Sequence, residues 1–222
     1  MNKESIWSRG KRWSLDLLFP RKCPFCQTVT DGFLCDACGK KLPLTGSKAV
    51  RKGTFGRCAS PLFYEGMVRE AILRYKFARR LSGVDVFARL MAECAAEHFG
   101  GEFDAVTWVP VSSKRLRERG FDQSFYLASG ICDIWQVSVE ETLRKTANNA
   151  AQSSLSGAEE RRGNVLGVYE VCPEANVAGR RFLLVDDILT SGATLTEARR
   201  VLLDAGAAQV LCLTLAAVQQ NA

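Results

Sequence analysis

The sequence predicts an α/β protein, a parallel sheet flanked by helices, preceded by a small ribbon stapled by four cysteines. Three observations predict it. Residues 179–218, "GRRFLLVDDILTSGATLTEARRVLLDAGAAQVLCLTLAAV", run strand, loop, helix, strand, the order of a βαβ unit. Residues 23–43, "CPFCQTVTDGFLCDACGKKLP", hold two C-x2-C pairs eight residues apart. Between these stretches lie long segments with apolar residues at helical spacing.

With 222 residues, 47% apolar and 24% charged, the chain can bury one core plus a small appendage, which excludes disorder of the whole. No uncharged apolar run of about 18 residues occurs, and "MNKESIWSRGKRW" lacks the apolar block of a signal peptide. The expectation is a cytoplasmic protein with no membrane span. Charge is uneven: residues 1–60 hold 12 Lys and Arg against 4 Asp and Glu, whereas residues 61–222 hold 18 against 20. We therefore expect a basic N-terminal segment with its ribbon over 1–60 and a second domain over 61–222. A polyanion would meet the first part, unless its charge serves only solubility.

The chain opens with "IWSRGKRWSLDLLFPRKC", in which Trp7, Trp13 and Phe19 alternate with Arg9, Lys11, Arg12, Arg21 and Lys22. Such interleaving suits single-stranded nucleic acid or a membrane surface, and equally a short helix docked on its own protein. Next, Cys23, Cys26, Cys35 and Cys38 present four thiolates as two knuckles able to close a tetrahedron. Disulfides would suit a secreted protein, and nothing here points to export. An iron centre on the same sulfurs stays open. Structural zinc is favoured, because four cysteine ligands leave no position for water and binding of roughly 10–16 kcal/mol can fold a module this small. Of the other five cysteines, Cys94, Cys132, Cys172 and Cys212 fall singly in apolar segments and read as core residues. Cys58 is expected to have no metal role.

Helices are expected over "VREAILRYKF" and "VDVFARLMAECAAEHF", the second ending at Gly100 and Gly101. His98, the only histidine, reads as a core or surface residue rather than a ligand. "FDAVTWVPV", residues 103–111, is a buried strand feeding "SSKRLRERGFDQS", where Lys114, Arg115, Arg117 and Arg119 crowd a loop before a helix starting near Asp122. Anions bind at such strand ends, although a solvated charge run reads equally well from this segment alone. Residues 144–164, "RKTANNAAQSSLSGAEERRGN", form a polar tract flanked by Arg144, Lys145, Arg161 and Arg162, which reads as a linker or as a lid over phosphate. "VLGVYEV" resumes strand character.

Phe182 to Val185 are apolar without alternation, as in a parallel strand covered on both faces, so Asp186 and Asp187 emerge at its carboxyl end. Two adjacent like charges are costly unless something receives them. Thr190, Ser191, Gly192, Ala193 and Thr194 then make a turn of small residues whose N–H groups and hydroxyls can cradle phosphate at a helix N-terminus. Thr194 and Glu197 fit a capping box. Carboxylates for vicinal hydroxyls beside a phosphate turn describe a ribose phosphate site; the plain alternative is a solvated acidic pair.

"VDDILTSGAT" closely resembles the motif of type I phosphoribosyltransferases that binds phosphoribosyl pyrophosphate (PRPP). Together with "LDLLFPRKCPFC", "VPVSSKRLRERGFDQS" and "LRKTANNAAQSSLSGAEERRGNV" it resembles the ComF group of competence-associated proteins over nearly the whole chain. Ser191 and Asp122 stand where relatives often show Thr and Asn. The resemblance implies a type I phosphoribosyltransferase-like sheet behind an N-terminal zinc module, and a cytoplasmic role in the uptake of transforming DNA with other competence proteins. It implies that Asp186 and Asp187 meet the ribose hydroxyls directly or through Mg2+, that residues 190–194 hold the 5′-phosphate, and that Lys114, Arg115 and Arg119 meet pyrophosphate. No C-terminal hood to read a base is expected after the last strand, with the zinc ribbon expected in the N-terminal hood position instead, so nucleobase salvage is not the expected activity. Three functions follow: an adaptor that binds PRPP or a related phosphate and contacts single-stranded DNA; an active phosphoribosyltransferase on an unidentified acceptor; and a relic of the fold serving as an interaction module.

Overall fold

A computed structural model describes residues 21–77, 83–146 and 167–219. In chain order it contains α1 (Asp36–Gly39), a 3-10 turn (Gly46–Lys48), β1 (Val50–Gly53), β2 (Gly56–Ala59), β3 (Leu62–Phe63), α2 (Gly66–Phe77) and α3 (Val84–Phe99). Then come β4 (Ala105–Trp108), α4 (Ser113–Arg119), α5 (Gln123–Trp135), β5 (Leu143–Lys145), β6 (Tyr169–Val171), β7 (Arg181–Leu189), α6 (Ala193–Asp204) and β8 (Gln209–Ala217). The aromatic and basic stretch before residue 21 and most of the polar tract, with Arg161 and Arg162, lie outside the described residues.

The main sheet runs β1-β2-β8-β7-β4, with β3 also on β8. Every pairing is parallel except β1 on β2, which forms an antiparallel edge hairpin. The parallel sheet flanked by helices is as expected, and β1 and β2, from the first sixty residues, add an antiparallel hairpin to its edge. The two central strands, β7 and β8, pair from Arg181–Gln209 to Leu189–Ala217. They are covered on both faces, which explains their unbroken apolar runs.

One face packs against α2, α3 and α5 through Leu183, Val185, Leu211 and Leu213. The other face holds Phe182, Leu184 and Cys212 under α6 and the antiparallel pair β5–β6. The first layer is close-packed: a Cβ on Gly130 of α5 would lie 2.8 Å from the Cβ of Ala88 on α3. Gly130→Leu should therefore destabilise by about 1–3 kcal/mol, read from urea denaturation; a change within error would mean that the helices part freely.

The ribbon docks on this layer rather than standing apart. Phe25, 3% exposed, meets Phe87 edge to face at 5.8 Å between centroids. Arg74 of α2 donates to the carbonyls of Phe25 at 2.6 Å and Pro24 at 3.1 Å.

Two local expectations are corrected. Lys114, Arg115, Arg117 and Arg119 lie on or at the end of a short helix, not a loop, because the Ser112 hydroxyl caps Arg115 N–H at 3.3 Å and Gly120 closes the helix in the left-handed conformation. Thr194 and Glu197 form no capping box: the N-cap is Gly192, and Glu197 is buried as a partner of Arg200 and of Gly167 N–H. Cys94, Cys132 and Cys212 are buried as expected, whereas Cys172 is only partly covered.

Candidate functional site

Strand β7 extends through the acidic pair instead of ending before it, since β8 continues pairing to Leu189. Its other neighbour, β4, stops at the register of Val185, so the pair sits where one flank of the strand opens. Alternation along the strand sends the two carboxylates to different partners. Asp186 accepts from Ser124 Oγ at 2.9 Å and from Asp187 N–H at 2.8 Å. Asp187 pairs with Lys76 Nζ at 2.8 Å, the side chains being 15% and 16% exposed. The charges are thus received by a hydroxyl, a backbone N–H and an ammonium.

Burial first, and then the charge of Asp187, push the Asp186 carboxyl up to about 7. A folded value above the ordinary 3.8 means that the folded protein holds a proton the unfolded chain has released. That contribution to stability is complete below the ordinary value and is lost as pH rises through about 7. Asp186→Asn, which keeps an acceptor oxygen, should therefore make the ligand-free protein more stable than wild type at pH 8 and leave it unchanged near pH 4. Urea denaturation at both pH values checks this; an equal effect at the two would refute it.

Further cations come from α4 and β5. Arg119 stacks over the Phe77 ring at 5.3 Å and donates to Gln123 Oε1. Burial, then the Arg115 charge, holds its guanidinium below the ordinary value, while Asp187 and Asp122 oppose this. Lys145 of β5 donates to Tyr169 OH at 3.2 Å and is likewise lowered by burial and Arg115, with Asp186 opposing. Lys114 is 81% exposed beside Glu118. Lys76 and Ser124 are functional candidates that the sequence reading missed, whereas Lys145 was already read as a flank of the phosphate-facing polar tract. Lys76 sits inside an amphipathic helical pattern, and only the fold carries it to Asp187.

The turn at 190–194 leads directly into α6. Thr190 and Ser191 are exposed and Gly192 is buried at φ +77°. A Cβ at residue 192 would lie 2.2 Å from Phe55, so this position excludes any other residue. With glycine at the N-cap, no side chain of that residue covers the first-turn N–H groups. Ser191 Oγ accepts weakly from Ala193 N–H at 3.4 Å.

Within the ribbon, the four thiol sulfurs of Cys23, Cys26, Cys35 and Cys38 lie within 4.8 Å of one another, with Cys26 and Cys35 3.6 Å apart. That spacing fits a tetrahedron of metal–sulfur bonds of about 2.3 Å. The hydroxyl and then the N–H of Thr28 lower the Cys26 thiol to about 6, whereas burial raises that of Cys38. Cys58 is fully buried in β2, its thiol raised to about 12 by burial, away from this set. His98 faces Glu97 and joins no metal cluster among the described residues.

The phosphoribosyl transferase domain family matches residues 125–222, and the double zinc ribbon family matches residues 14–71. Fold and site thus define a phosphoribosyltransferase-like domain behind a four-cysteine ribbon, and the four converging thiols support structural zinc. The Escherichia coli K12 DNA utilization protein YhgH is 32% identical over 206 residues, 86% of this chain and 88% of its own. The competence protein ComFC of Bacillus subtilis 168 is 28% identical over 229 residues, 96% of this chain and 92% of its own. The chain belongs to the family of these two proteins. Among solved structures, the allosteric regulatory enzyme of purine biosynthesis aligns over 64% of this chain and 29% of its own, at 23% identity and a TM-score of 0.40. No helix among the described residues is long and apolar enough to cross a membrane.

Proposed function

We propose that the protein binds PRPP or a related ribose phosphate at residues 186–194 and serves DNA uptake or utilisation as a cytoplasmic adaptor that also contacts single-stranded DNA. The observation that carries this reading is the juxtaposition of a partly buried carboxylate pair with an uncapped small-residue turn at the same rim. In it, Asp186 and Asp187 accept from the ribose hydroxyls, directly or through Mg2+, and Thr190, Ser191, Gly192, Ala193 and Thr194 hold the 5′-phosphate. Lys76, the 2.8 Å partner of Asp187, meets diphosphate together with Arg115, Arg119 and Lys145, and Lys114 gives long-range attraction. Mg2+ accompanying PRPP supplies charge neutralisation for the diphosphate, and the hard oxygen donors of the pair suit it. The names of the relatives support the DNA role and other competence proteins as partners.

Isothermal titration with PRPP and Mg2+ tests the site. Saturable binding is expected, competed by ribose 5-phosphate; absence of heat and of any thermal shift would leave only the interaction-module reading. A second reading, active transfer to an unidentified acceptor, is favoured by the cations ranged around the pair, which could stabilise departing pyrophosphate. It requires pyrophosphate release with some member of an acceptor panel, lost in Asp187→Asn.

A further inference from the structure

The rim that carries the phosphate turn continues across β8 into a second concavity. Strand β8 ends at Ala217, and the next residue, Val218, donates its N–H to Leu189 O at 3.0 Å, one residue before the turn. Beyond it a groove of about 450 Å³ is lined by Ser47, Lys48, Val50, Arg51, Phe63 and Gln219. Arg51 is fixed across it by donating to the Val218 carbonyl, and Lys48 is exposed. The surrounding sequence is mostly basic: residues 37–64 hold six Lys and Arg and no Asp or Glu, and the acid at the groove's edge is Glu65, which accepts from Gln219 at 3.1 Å. One of the six, Arg57, is neutralised by Glu102 at 2.5 Å. Lys40, Lys41, Lys48, Arg51 and Lys52 form no ion pair among the described residues.

We infer that this groove is a seat for single-stranded DNA, with Phe63 stacking on an unpaired base while Lys48 and Arg51 meet the backbone phosphates. The inference rests on the adaptor reading and gives it a location within the described residues. An aromatic ring beside two cations in a concave strip is the composition that holds an unstacked strand. A duplex would offer that ring no free base face, and a bilayer would need a broader apolar surface than one phenylalanine and one valine. Because β8 links the two sites, a bound strand would lie next to the phosphate turn.

The test is fluorescence anisotropy of labelled oligo(dT) on the full chain across a salt series. Wild type should bind with affinity falling steeply as salt rises. Phe63→Ala should weaken binding about tenfold while keeping the salt slope. Lys48→Gln, an exposed change that leaves folding intact, should lower the magnitude of the slope by about 0.7. Both variants should keep the thermal shift with PRPP. No binding by wild type would reject the adaptor reading itself. Binding by wild type with both variants unaffected would overturn the groove alone, as would tighter binding of an RNA of the same length or of duplex DNA.

Discussion

Asp187→Asn is expected to abolish the stabilisation that PRPP with Mg2+ gives the wild-type protein. At a ligand concentration about a hundredfold above Kd that stabilisation is about 2.7 kcal/mol, or roughly 5–10 °C in Tm for a chain of this size. The variant keeps the shape of the side chain and removes its charge, so both the acceptor for a ribose hydroxyl and the oxygen donor for a cation are weakened. It also strands Lys76, whose 2.8 Å partner is gone although its side chain is only 16% exposed. The ligand-free variant should therefore melt below wild type, because removing one member of a largely buried ion pair leaves an uncompensated charge. The ligand-induced increment, not the absolute Tm, is the quantity to read. Lys76→Met separates the roles: it relieves the stranded charge when combined with Asp187→Asn, yet the double variant should still show no increment. A wild-type increment in either would place the ligand elsewhere.

Removing zinc should destabilise the whole fold, not just the ribbon. Cys23 and Cys38 are buried, and with Phe25 they belong to the same packed layer as Phe87, Ile72 and Leu183. Losing the metal frees the two knuckles and withdraws Phe25, a change comparable to truncating a core phenylalanine at about 3–5 kcal/mol. A strong chelator, or Cys35→Ser, should lower Tm by on the order of 10 °C and expose Phe25 to solvent. Restoring zinc after chelation should restore Tm. A chelated protein that melts like the untreated one would show that the thiols hold the ribbon without metal. Arg74→Ala, which removes the donor to the Phe25 and Pro24 carbonyls, should make the protein lose zinc faster to chelator without altering the four ligands.

The ribbon, the βαβ order and the acidic pair were all legible in the sequence because each has a short-range signature: fixed cysteine spacing, an apolar run, a turn of small residues. The two long helices were legible for the same reason, and α3 begins and ends where its apolar periodicity does. What was missed depends on distance along the chain. The β1–β2 hairpin carries cations and glycines that read as ribbon, and its place in the sheet is set by Cys58 and Ala59 pairing with residues more than 150 positions away. Lys76 looked like one polar position on an amphipathic helix until the fold put Asp187 beside it. Glu197 matched a capping box by spacing, but Gly192, pressed under Phe55, starts the helix two residues earlier. Spacing rules see a helix end only when nothing tertiary moves it.

The edge hairpin also bears on how the protein can be dissected. A fragment starting at residue 61 would strip β2 from β8 and leave the backbone amides and carbonyls around Cys212 and Leu213 bare, a sticky border inviting fibrous or amorphous self-association. A fragment starting just ahead of Val50 would carry its own border guard, and differing solubility of the two pieces would reveal which residues belong to which half of the molecule.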